Sequence, residues 1–103
     1  MTMDLTGIIA EDEPLLREDL SEQLGKIWPE LSIVGKAAAG IDALRLLVMH
    51  KPDVVFLDIQ MPGMTGLEVA RQVAGRCHIV FVTAFDQYAI AAFEQGAVDY
   101  VMK

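Results

Sequence analysis

The sequence predicts an α/β domain built on a doubly wound parallel sheet, and three observations carry that expectation. Short apolar runs alternate along the chain with segments of helical period. The run Val54-Val55-Phe56-Leu57 is unbroken, as a strand buried on both faces requires. Four of the apolar runs also end in residues capable of chemistry, and in a parallel sheet all such ends lie on one edge, where open α/β folds place their ligands.

The elements follow in order. Leu5 to Ala10 reads as the first strand and ends in Glu11-Asp12-Glu13-Pro14. Pro14 suits a first helical position, and Leu15, Leu16, Leu20 and Leu24 recur as an apolar face before Gly25 weakens the pattern and Trp28-Pro29 closes it. Leu31 to Ala37 gives a second strand, and Gly40 opens a helix expected to carry Leu44, Leu47 and Val48 inward until Pro52 ends the connection. The third strand, Val54 to Leu57, delivers Asp58 to a turn-rich loop, Met61 to Gly66, which leads into a helix with Leu67, Val69, Ala70 and Val73. Ile79 to Val82 is a fourth strand ending in Thr83-Ala84, Asp86 to Gln95 a fourth helix stopped by Gly96, and Val98 to Met102 a fifth strand ending in Lys103. The resulting order, β-α-β-α-β-α-β-α-β, implies right-handed crossovers. No helix follows the fifth strand, so the sequence reads as cut at Lys103, with part of one sheet face expected to lack its cover.

At 103 residues the chain is expected to form one domain with a single core. Its hydrophobic share, 53%, is high for a soluble domain. An uncovered apolar strip of this kind points to pairing or exchange of elements with a second copy. With 8 basic and 15 acidic residues and a net charge of −7, no basic cluster could track a phosphate backbone, which argues against direct nucleic-acid contact by this segment. The apolar stretches are strand-length, too short for a membrane span, and the N-terminus has no basic start leading into an apolar core, so a cytoplasmic location is expected. Cys77 is the only cysteine and reads as a small buried or boundary side chain. His50 and His78 stand at the sheet edge away from the acids and read as surface residues, while Trp28 and the methionines read as packing residues.

Glu11, Asp12 and Asp58 repel one another if brought together, unless a cation is present. An oxygen-rich cluster that leaves coordination positions open suits Mg²⁺, which prefers one or two carboxylates plus water and phosphate oxygens. An ionised aspartate beside such an ion can act as a nucleophile toward phosphorus, giving an aspartyl phosphate. Charge then develops on the phosphoryl oxygens, where a lysine and a hydroxyl donor are useful, and Lys103 and Thr83 supply one of each. Taken singly, Glu11-Asp12-Glu13 could be no more than an acidic helix start, and Glu13 is read as only that. Thr83 alone could be an ordinary strand residue, Lys103 a solvated charge and Tyr100 a packing aromatic; it is their common edge that favours function.

These residues resemble the receiver domain of two-component response regulators: Glu11-Asp12 after the first strand, Asp58 in Asp58-Ile59-Gln60-Met61-Pro62-Gly63, Thr83-Ala84 after the fourth, and Tyr100-Val101-Met102-Lys103 at the fifth. The resemblance covers the whole chain and implies a flavodoxin-like sheet of order 2-1-3-4-5. It implies that Asp58 accepts a phosphoryl group from a sensor histidine kinase, with slow self-dephosphorylation and no turnover of external substrates. It further implies Mg²⁺, or Mn²⁺ in its place, held by Asp12, Asp58 and the backbone carbonyl of Gln60, with Glu11 binding it through water or orienting it. Lys103 would contact Asp58 and then the phosphoryl oxygens, and Thr83 and Tyr100 would form a switch read by a tethered effector. The stretches from Val82 to Ala89 and from Phe93 to Tyr100 are most similar to receivers joined to LytTR-type DNA-binding domains, implying a transcriptional output. Glu11 departs from the commoner aspartate, and the closing helix is missing.

Two other classes compete. A haloacid-dehalogenase-type phosphatase also uses a strand-end aspartate with Mg²⁺, but resembling enzymes carry a second aspartate two positions on, where this chain has Gln60. A phosphorylation-independent module of the same fold would not need intact acids, Thr83 and Lys103.

Overall fold

The computed structural model describes residues 5–83 and 97–102. The strands are β1 (Leu5–Ala10), β2 (Leu31–Ala37), β3 (Val54–Leu57), β4 (His78–Thr83) and β5 (Ala97–Met102), and the helices are α1 (Pro14–Ile27), α2 (Gly40–His50) and α3 (Gly66–Val73). All neighbouring strands pair in parallel, and the sheet runs β2-β1-β3-β4-β5. The helix expected over Asp86 to Gln95 lies outside the described residues.

Alternation along the strands divides the apolar residues between two faces. Ile8, Val55, Leu57, Ile79 and Phe81 pack with Ala43, Leu47, Val69 and Val73 of α2 and α3. Ile9, Val54 and Phe56 turn the other way, toward Leu24 and the half-buried Leu20 and Trp28 of the α1 side. Because both faces are apolar, β3 contains no polar residue until Asp58. Val80 and Val82, half-buried, pack against this second cluster on the α1 face.

Three apolar assignments from the sequence are corrected. Leu15 is 80% exposed, because it stands five positions before Leu20, about 140° around the helix. Leu16 is also exposed, at the rim of the first turn. On α2 the inward pair is Ala43 and Leu47, four positions apart, and Val48 lies about 100° away from Leu47 and is exposed.

Close approaches of backbone fix the two helices on the α2/α3 face. A Cβ on Gly40 would stand 1.9 Å from the Met64 carbonyl oxygen, and one on Gly66 would stand 2.1 Å from that of Asp58. Thr65 caps α3, its Oγ1 accepting from the Glu68 amide at 3.3 Å. The α3 start is therefore held against the segment that carries Asp58.

Candidate metal and phosphoryl-transfer site

Register places the acids. Ala10 pairs with Leu57, so the next residues of β1 and β3, Glu11 and Asp58, leave the sheet side by side. The ladder also continues one step beyond the strands: the Asp58 amide donates to Ala10 O and the Glu11 amide to Ala37 O, both at 2.9 Å. Glu11 and Asp58 are almost fully buried, and Asp12 is exposed on the turn before α1. Carboxylate oxygens from the three residues lie within 4.8 Å of one another.

That spacing can be compared with the ion's needs. Mg²⁺ takes oxygens at about 2.0–2.1 Å in an octahedron, so opposite ligands stand about 4.2 Å apart. Three carboxylate oxygens within 4.8 Å of one another are close to that span, so the cluster fits a shared divalent ion. The donors are all hard oxygens, and they fit this ion or Mn²⁺ rather than a thiophilic metal.

The remaining predicted site residues divide. Thr83 ends β4 fully buried, next along from Val82, which stands level with Asp58. Gln60 is exposed on the loop after Asp58, its amide 3.4 Å from Asp58 Oδ1. The backbone of Tyr100 pairs with Phe81 in the sheet. The Tyr100 side chain and Lys103 lie outside the described residues. A hollow of about 230 Å³ opens beside Glu11 and Asp58, walled by Leu16, Leu20, Phe56 and Val82. Another hollow, about 410 Å³ between Leu47, Lys51, Val73 and Arg76, sits at the opposite sheet edge and is lined by none of the three acids.

Sequence reasoning missed two contributors. Gly66 was read only as part of a turn, although a glycine at the first position of a helix is a signal of close approach. Arg17 gave no signal at all; its Nη1 donates to the Glu11 carbonyl at 2.8 Å.

Cys77 is half-buried at the edge away from the acids, and desolvation pushes its thiol above the ordinary value of 9.0. Fewer thiolates at neutral pH mean slow alkylation. Iodoacetamide at pH 7.5 should modify the folded chain more slowly than the urea-unfolded chain, and equal rates would contradict this placement.

The chain is similar to known proteins in sequence and fold. A family model described as the response regulator receiver domain matches residues 8–103. An uncharacterised response regulatory protein of Vibrio cholerae is 48% identical over 100% of this chain and 41% of its own length. The transcriptional regulatory protein BtsR of Escherichia coli is 44% identical, over 93% of this chain and 41% of the relative. Among solved structures, the response regulatory domain of protein mrkE from Klebsiella pneumoniae superposes with a TM-score of 0.90 at 36% identity, covering 96% of this chain and 83% of that one. This chain thus spans about two fifths of the length of these curated relatives. Among the described residues, no helix is long and apolar enough to cross a membrane.

Proposed function

The chain belongs to the family of response regulator receiver domains, and from that premise we propose that Asp58 is its phosphoacceptor and that the acid cluster holds the required divalent ion. The observation that carries the reading is the convergence of Glu11, Asp12 and Asp58 at one sheet edge, two of them buried.

One Asp58 oxygen attacks phosphorus in line with the leaving group, so that a P–O bond forms as the donor's P–N bond, or P–O bond in acetyl phosphate, breaks. Bound Mg²⁺ supplies positive charge to the phosphoryl oxygens. Asp12, Asp58 and the Gln60 carbonyl would hold the ion, with Glu11 contributing its charge beside them. The buried Thr83 hydroxyl and Lys103 then donate to the transferred group. Thr83 ends a central strand whose neighbour is β5, so a shift there reaches Tyr100 through the sheet. With Gln60 in place of a second carboxylate, the site accepts and slowly loses a phosphoryl group rather than turning over external substrates.

The donor is a sensor histidine kinase in this reading, and the output is a tethered effector. The effector is read as a LytTR-type DNA-binding domain from the resemblance of residues 82–89 and 93–100, and a transcriptional output accords with the naming of the BtsR relative. The half-buried Val80 and Val82 favour contact with a second copy or another segment.

Acetyl phosphate with Mg²⁺ should label the protein, and chelation by EDTA should abolish the labelling. Mg²⁺ alone should also stabilise the fold, since binding to the native state at a hundred times Kd contributes about 2.7 kcal/mol. Calorimetric melting checks this directly: a Tm that does not respond to millimolar Mg²⁺, or an undiminished response in Asp12→Asn, would contradict metal binding at this cluster.

A further inference from the structure

We infer that Arg17 is a positioning residue for the two acids of the β1–α1 turn, holding Glu11 and Asp12 in a metal-ready arrangement; the inference rests on the metal-assisted reading above. The contact joins the Arg17 guanidinium to the Glu11 carbonyl oxygen at 2.8 Å in half-buried surroundings. That carbonyl belongs to the peptide linking Glu11 to Asp12, so a single hydrogen bond fixes the plane between the two carboxylate-bearing residues. The same residue's amide is bonded to Ala37 O at 2.9 Å. The Glu11 backbone is therefore clamped from β2 on one side and from α1 on the other.

The choice of partner is informative. Lys26, Lys36 and Arg45 each pair with a carboxylate, Glu22, Glu18 and Asp42 in turn. Arg17 has Glu13 one turn before it and Glu18 beside it in sequence, yet among the described residues it pairs with neither and reaches back over the helix start to a neutral oxygen. A guanidinium offers several donors in a rigid fork, which suits it to hold a peptide group, whereas a lysine offers one mobile point charge. Asp12 gains most from the clamp, because it is exposed and lies beyond the last ladder bond.

Two opposite effects on metal affinity give the test its sign. By charge alone, deleting a cation near the site would tighten Mg²⁺ binding. By positioning, deleting it weakens binding, and losses at groups that orient metal ligands are typically tenfold or more. In Arg17→Met, Mg²⁺ titration calorimetry should therefore show Kd raised by about tenfold, with the labelling rate at saturating Mg²⁺ close to that of the unsubstituted protein. Arg17→Lys, which keeps the charge and one donor, should recover part of the loss. Unchanged or tighter Mg²⁺ binding in Arg17→Met overturns the inference.

A second measurement needs no metal. In EDTA, exchange of the Glu11 amide, which is bonded to Ala37 O, should accelerate in Arg17→Met while the amides of β3 stay protected. Unaltered exchange there overturns the clamp whatever the metal result. If the unsubstituted protein takes up neither Mg²⁺ nor a phosphoryl group, the functional reading falls on its own, and the exchange data still decide the role of Arg17.

Discussion

Asp58→Asn is expected to remove all Mg²⁺-dependent labelling by acetyl phosphate while the protein stays folded. An amide has the same shape as the carboxylate but is a poor nucleophile toward phosphorus, and it carries no charge for the ion. The substitution also leaves a single buried carboxylate, Glu11, at the sheet edge, so Mg²⁺ affinity should fall by more than tenfold, the scale on which changes around metal ligands act. The backbone bond from residue 58 to Ala10 O does not involve the side chain, and far-ultraviolet circular dichroism should be unchanged. Phosphoryl label retained in Asp58→Asn at the level of the unsubstituted protein would show that another side chain is the acceptor.

The second large effect is steric. In Gly66→Ala the new methyl group would meet the Asp58 carbonyl oxygen at 2.1 Å and the Ile59 Cα at 3.0 Å. Both are backbone atoms, so relief requires moving the start of α3, and the bond from the Gly66 amide to Ile59 O at 2.9 Å would stretch. Overpacking of this kind costs about 1–3 kcal/mol. Urea unfolding should show the loss, and labelling should slow because the displaced segment carries the acceptor. Gly25→Ala is the matched control: it lies in α1 with nothing within 4 Å of the added atom, and removing a helical glycine should stabilise the fold by about 0.5–1 kcal/mol. If both substitutions shift the urea midpoint in the same direction, the close approach at Gly66 is not the controlling contact.

Much of this architecture could be read from the chain because two-sided burial leaves little freedom. Val54 to Leu57 must be apolar throughout to face α1 and the α2/α3 layer at once, so the first polar residue after it marks the sheet edge. The same logic located Glu11-Asp12 and Thr83, and the parallel topology did the rest by putting the ends together. Helix faces were less legible. Leu15 and Val48 are apolar without being inward, since a chain this rich in hydrophobic residues has more of them than its core can absorb, and only the angle around the helix tells them apart. Gly66 was noticed as a turn residue, but its reason is a neighbour distant from any turn signal, the Asp58 carbonyl. Arg17 was invisible because its contact is to main chain, and main-chain acceptors look alike in every sequence. Lys103 was legible as the residue closing the fifth apolar run, whereas the switch role of Tyr100 rests on resemblance.

The bond from the Asp58 amide to Ala10 O makes the proposed acceptor an extension of the central pairing between β1 and β3. Its exchange with deuterium should therefore be as slow as that of the core strands, because exposing it means separating the middle of the sheet. Asp12 and Gln60 flank it on an exposed turn and an exposed loop. In the proposed reaction, accommodation of the donor falls to these exposed flanks, with the Asp58 backbone held between them.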